Sequence, residues 1–237
     1  ALLGYLFFRA RILWIPLSEL RISREFLKKT IDFSSVSALQ QTMLYLGRLL
    51  VQSGVNSLGV DAVAAFNAVS IADSYILAPG DSLAASMTTF SAQNKGAGTG
   101  ERIEKGLKTM LCMAEIYVCL AAVIVFTKSR WILGIFLKPQ ETAALAFGLS
   151  YLLPMSLGYV LTGITNTFQG YFRGIGNLKI TLWATLLQIP IRVAVTYLLL
   201  AVLGLQAVAV GTAIGWICMA VFQYFCYRKW GIHKTVA

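Results

Sequence analysis

Long apolar runs separated by short polar stretches set the pattern of this chain. They fall at roughly 33 to 55, 62 to 92, 107 to 127, 142 to 170, 180 to 202 and 206 to 227, each near or above the about 20 residues that cross a bilayer as a helix. Hydrocarbon offers no partner to backbone N–H and C=O groups, so runs of that length are expected as helices. The longest intervening polar stretch, Gln93 to Gly106, is too short to bury a core of its own. The expected fold class is all-α: a polytopic membrane protein of six transmembrane helices.

Composition agrees with the pattern. Charged residues make up 13% of the chain and hydrophobic residues 57%, with a mean hydropathy of +0.71. The net charge of +10 would suggest nucleic acid in a water-soluble domain, but here the basic residues sit in the connections, where they act as topology determinants and contacts to lipid headgroups. Connections expected inside carry Arg9, Arg11, Arg21, Arg24, Lys28 and Lys29, then Lys95, Arg102, Lys105 and Lys108, then Arg173 and Lys179, then Arg228, Lys229 and Lys234. Those expected outside carry Lys128, Arg130 and Lys138, beside an interfacial Trp131. The positive-inside bias therefore places both ends on the cytoplasmic side of the cell membrane.

Four parts follow. Residues 1–8 are expected as the end of a preceding transmembrane helix, 9–32 as a cytoplasmic amphipathic linker, 33–227 as the six-helix lobe and 228–237 as a cytoplasmic tail. Cys112, Cys119, Cys218 and Cys226 lie in apolar runs without a CxxC, and His233 is the one histidine, so neither a disulfide framework, a metal site nor a cofactor is expected. An intramembrane enzyme is disfavoured because GxSxG and HExxH are absent and the glycines at Gly96, Gly98 and Gly100 lack a phosphate loop's strand and lysine.

Polar residues inside the runs are the candidate chemistry. Gln41, Tyr45, Arg48 and Gln52 stand at i, i+4, i+7 and i+11, one helix face, and Thr181, Thr185, Gln188 and Arg192 repeat the spacing. An ionised side chain at bilayer depth costs about 2.5 to 3.5 kcal/mol on insertion scales, so each arginine needs water or a partner. Two readings stay open: a hydrated cavity, or neutralisation of a buried acid among Asp73, Asp81 and Glu115. Asp73 and Asp81, about 12 Å apart along a helix, are candidate ion-coupling carboxylates, although Asp81 after Pro79-Gly80 also reads as the cap of a broken helix. Pro79, Pro154 and Pro190 are expected to bend their helices. Tyr159, Asn166 and Gln169 with Gly163 and Gly170 give a polar, thin face, and Gly211 and Gly215 form a packing GxxxG.

With these residues in place the chain resembles the multidrug and toxic compound extrusion (MATE) family, and is similar to its carboxy-terminal half. The resemblance runs through Gln40-Gln41 to Gln52, Val55-Asn56-Ser57-Leu58-Gly59, Ala62-Val63-Ala64-Ala65-Phe66, Gln93-Asn94-Lys95-Gly96-Ala97-Gly98 with Arg102, and Phe172-Arg173-Gly174-Ile175-Gly176-Asn177. It implies a central cavity between two six-helix lobes, the amino-terminal one missing here, and export of amphipathic organic cations in exchange for protons or sodium by alternating access. On that reading Gln41, Tyr45, Arg48, Asn67, Asn166 and Arg192 line the cavity for a small-molecule substrate. Sodium-coupled relatives place carboxylates in the helices that here hold Gln40, Gln41 and Thr42, and Thr162 and Asn166, so the coupling ion stays open. The same scaffold also resembles lipid-linked oligosaccharide flippases, and a channel-forming subunit is a third possibility that would conduct without coupling.

Overall fold

A computed structural model of the chain describes residues 23–231. The expectations for 1–8, for 9–22 and for 232–237 lie outside the described residues. Six helices follow in order: α1 Arg24–Asn56, α2 Val60–Gly96, α3 Gly100–Phe136, α4 Thr142–Gly174, α5 Leu178–Leu203 and α6 Gln206–Trp230. The chain divides into a short first unit ending at Ser35 and a main unit from Val36 onward. In the first, Thr30 Oγ1 donates to Phe26 O (2.8 Å) and Ser35 Oγ to Asp32 O (3.1 Å), local bonds within the helix.

Helices α2 to α6 are each long and apolar enough to cross a membrane by length and composition. Helix α1, which holds the first expected run, falls short of that hydropathy because Gln40, Gln41, Arg48 and Gln52 interrupt its apolar positions. Apolar side chains cover much of the outer surface: Leu198 and Trp131 are more than two-thirds exposed, as expected where lipid is the solvent.

Helix α4 is the central element, packing against α2, α3 and α6, while α5 pairs with α6. Two apolar cores form along it. One joins Val55, Ala62, Phe66, Val125, Leu133, Tyr151, Tyr159 and Leu205; the other joins Met87, Ile103, Leu107, Phe168, Phe172 and Cys226 at the opposite end. The α4 stretch between them carries Thr162, Thr165, Asn166 and Thr167, a polar belt between two apolar plugs.

Close approach of α2 and α4 depends on glycine. A side chain at Gly170 or Gly174 would run into the carbonyl oxygens of Ala84 and Thr88, so Gly170-x-x-x-Gly174 seats α4 on the α2 backbone. The turns after α2 and α4 are built alike. Gly98 N donates to Lys95 O (3.1 Å) and Thr99 N to Asn94 O (2.9 Å); Gly176 N donates to Arg173 O (3.0 Å) and Asn177 N to Phe172 O (2.8 Å). Each is a Schellman closure that requires positive φ at its glycine, +71° at Gly98 and +80° at Gly176. Lys95 Nζ donates to Ile175 O at 2.5 Å, tying the two turns together.

Pro79, Pro154 and Pro190 lie inside helices that continue through them. Proline supplies no N–H to the preceding turn, and near Pro79 the Tyr117 hydroxyl donates to Ile76 O at 2.6 Å. Because α2 is unbroken from Val60 to Gly96, Asp81 caps no helix, which corrects that reading of the sequence.

Candidate functional site

Two adjoining chambers open inside the main unit. The first, of about 330 Å³, is lined by Arg48, Asp73, Asp81, Tyr151, Arg192 and Thr212 with Leu44, Phe66, Leu77, Met155 and Trp216 among its walls. The second, of about 430 Å³, is lined by Gln40, Gln41, Asp81, Asn166, Gln169, Arg173, Thr185 and Gln188. Leu44, Asp81 and Trp216 border both.

In the first chamber, glycine again sets the positions. A Cβ at Gly211 would lie 2.7 Å from Arg192 O and 2.6 Å from Thr196 Oγ1, and one at Gly215 would lie 3.0 Å from Gln188 O. The GxxxG of α6 therefore receives the polar stripe of α5 and fixes the rotation at which Arg192 enters the cavity. Its Nε is buried without a hydrogen-bond partner, and among the described residues neither Arg48 nor Arg192 forms an ion pair with Asp73 or Asp81. Asp73 instead accepts the Tyr159 hydroxyl. Phe66 and Tyr151 stack at 5.7 Å between centroids to form an apolar wall.

The second chamber is organised by amides. Gln40 Nε2 donates to Thr185 Oγ1 (2.8 Å) and to Gln169 Oε1 (3.4 Å), and Arg173 Nη2 donates to Gln40 Oε1 (3.2 Å). Thr185 Oγ1 in turn donates to Thr181 O (3.0 Å). Asn166 Nδ2 donates to Asp81 Oδ1 at 3.0 Å, holding that carboxylate at the border of the two chambers with its other oxygen uncommitted among the described residues.

Of the residues singled out by sequence, Gln41, Arg48, Asp73, Asp81, Asn166 and Arg192 converge on these chambers. Tyr45, 66% exposed, and the exposed Asn67 line neither, and Pro79, Pro154 and Pro190 also lie off their walls. Glu115 lies against Gly163 with Oε1 unpartnered among the described residues, away from both arginines' chamber. Arg173, read from sequence as an inner-loop charge, is part of the second chamber. Tyr151 and Trp216 carried no polar spacing to mark them.

The family model MatE matches residues 37–198, which spans α1 beyond its first turns through most of α5 and includes both chambers' arginines and aspartates. The chain belongs to the MatE family. Among relatives of MatE type, the probable multidrug resistance protein YpnP of Bacillus subtilis (strain 168) is 26% identical over 201 residues, covering 84% of this chain and 45% of that protein. A crystal structure of MATE in complex with MaL6 superposes with a TM-score of 0.88 at 21% identity, over 98% of this chain and 54% of that one. A MOP superfamily transporter from Pyrococcus furiosus, whose binding pocket of reverse polarity suggests a different function for it, gives a TM-score of 0.87 at 20% identity over 96% of this chain and 52% of that one. This MatE chain therefore spans about half the length of the proteins it matches. Membership makes it a multi-pass membrane protein, as its apolar helices require.

Proposed function

We propose that this MatE chain is the carboxy-terminal lobe of a drug-efflux antiporter, which exports amphipathic organic cations across the cell membrane in exchange for protons or sodium by alternating access. The observation that carries the reading is the position of Asp81. Its carboxylate borders both chambers and is steadied by Asn166, so a bound cation and a coupling ion would compete for one group. Asp73 is less available, because the Tyr159 hydroxyl holds it and two arginines share its chamber.

Moving one positive charge outward against an inside-negative potential costs about 2.3 kcal/mol per 100 mV, so coupling to an ion gradient follows for cationic substrates. The test is transport by the full-length protein that carries this chain, reconstituted in liposomes with an imposed proton or sodium gradient. Export of a fluorescent cation should accelerate with one of the gradients and lose that acceleration in Asp81→Asn. Folded protein whose export ignores both gradients would overturn the proposal.

A further inference from the structure

The charges around the two chambers do not match a purely cationic ligand. Arg48, Arg173 and Arg192 face Asp73 and Asp81 across them, three positive groups against two negative. Arg173 is engaged by Gln40. Arg48 and Arg192 share the first chamber, stand free of ion pairs with its two aspartates, and Arg192 presents a buried Nε with no partner. A buried polar group left unmatched is costly, and an unpaired guanidinium at bilayer depth more so. A planar fork of N–H donors matches the two oxygens of a carboxylate or phosphate.

We infer that Arg48 and Arg192 form an anion subsite, and that the molecule taken by this lobe is a zwitterionic amphiphile rather than a simple cation. The inference rests on the efflux reading above and names the substrate class for the same site. The charge balance is direct. The first chamber holds Arg48 and Arg192 against Asp73 and Asp81, a formal sum of zero. Once the ligand's cationic centre neutralises Asp81, the arginines exceed Asp73 by one charge. A carboxylate or phosphate on the same ligand cancels that excess, while its apolar body lies along Phe66, Tyr151, Met155 and Trp216. The stacked Phe66–Tyr151 pair supplies a flat wall suited to an aromatic scaffold. Glycines Gly211 and Gly215 hold the backbone of Arg192 against α6, so the guanidinium is preorganised rather than recruited.

The experiment uses the full-length protein in a non-ionic maltoside detergent and two probes on one scaffold: an amino-xanthene dye with a free carboxylate, and its methyl ester. The pair differs by a single negative charge. In the unmodified protein the acid should bind at least as tightly as the ester. Arg48→Gln and Arg192→Gln should each lower the acid-to-ester affinity ratio by about tenfold, the loss of one charge-assisted bond. Asp73→Asn should raise that ratio, because it removes the competing internal carboxylate. Arg48 is solvent-exposed, so its variant reads the site even where replacing Arg192 prevents folding. A ratio unmoved by Arg48→Gln in protein that still binds the ester would overturn the subsite and assign Arg48 to an acid elsewhere in the full-length protein. Failure of gradient-driven export leaves these binding ratios measurable, so the two readings fail separately. Short-chain phosphatidylglycerol distinguishes the source of the anion: displacement of the acid dye assigns the subsite to a lipid phosphate, and binding undisturbed by it assigns the subsite to the carboxylate of a soluble amphiphile.

Discussion

Neighbouring glutamines in α1 divide structure from binding. Gln40 is 3% exposed and ties Thr185, Gln169 and Arg173 into one network, whereas Gln41, one residue on, is exposed and borders the chamber. Both border the second chamber, but the helix turns about 100° per residue, so Gln40 is buried within the bundle while Gln41 is exposed. Gln40→Ala should destabilise the purified full-length protein by about 1 to 3 kcal/mol, since it removes the buried amide that links Thr185, Gln169 and Arg173. Gln41→Ala should fall within about 0.5 kcal/mol of the unmodified protein. Thermal unfolding followed by fluorescence separates them, and equal stabilities would remove Gln40 from the network. Sequence spacing picked out Gln41 and placed Gln40 only through the family resemblance, because spacing reports a shared face and not which neighbour that face meets. Arg173 shows the same limit from the other side. Thr162, Asn166, Gln169 and Arg173 stand at i, i+4, i+7 and i+11 on α4, a stripe of the same form as those on α1 and α5, but the basic turn around Arg173 hides it.

At the scale of helices, contact between α2 and α4 is limited by backbone atoms. Gly170→Ala would drive a methyl into the Ala84 carbonyl, which no side-chain rotation relieves, and overpacking of this kind costs about 1 to 3 kcal/mol. Gly80 is also in a helix, yet nothing lies within 4 Å of its would-be Cβ, so Gly80→Ala should be neutral or stabilising by up to about 1 kcal/mol. Unfolding temperatures of the two variants in one detergent give the comparison, and a stabilised Gly170→Ala would contradict the packing described. Hydropathy gave the apolar middles of the helices, because burial in lipid demands length and apolarity of each separately, but not all their ends: the run expected over 107 to 127 belongs to a helix from Gly100 to Phe136. The prolines end none of these helices: α2, α4 and α5 continue through Pro79, Pro154 and Pro190, and the Tyr117 hydroxyl that meets Ile76 O belongs to a different helix, α3.

For the molecule as a whole, orientation in the membrane remains an expectation from the charge bias and has a direct check. In protein whose native cysteines are changed to serine, Gln93→Cys should react with an impermeant maleimide only after cells are permeabilised, and Gln140→Cys should react in intact cells. Both positions are exposed, Gln93 in the last turn of α2 and Gln140 in the short connection between α3 and α4. The reverse labelling would invert the topology and place the linked turns at Lys95 and Ile175 outside. With the expected orientation, those turns join α2 and α4 at the cytoplasmic end, so the two helices bordering Asp81 would move as a unit during alternating access.

What the sequence determined by itself is local or compositional. Apolar run length gave the helices, glycine and charge in the Gln93 to Gly98 stretch marked a boundary, and ordered motifs pointed to the family that residues 37–198 match. Tertiary structure alone decided that Asp81 borders two chambers, that Tyr159 claims Asp73, and that Arg48 and Arg192 share a cavity without pairing to its acids. The physical reason lies in how helices are rotated against one another. Periodicity places residues on a face, but the rotation that aims the face is set by non-local contacts at Gly170, Gly211 and Gly215, whose partners lie on other helices.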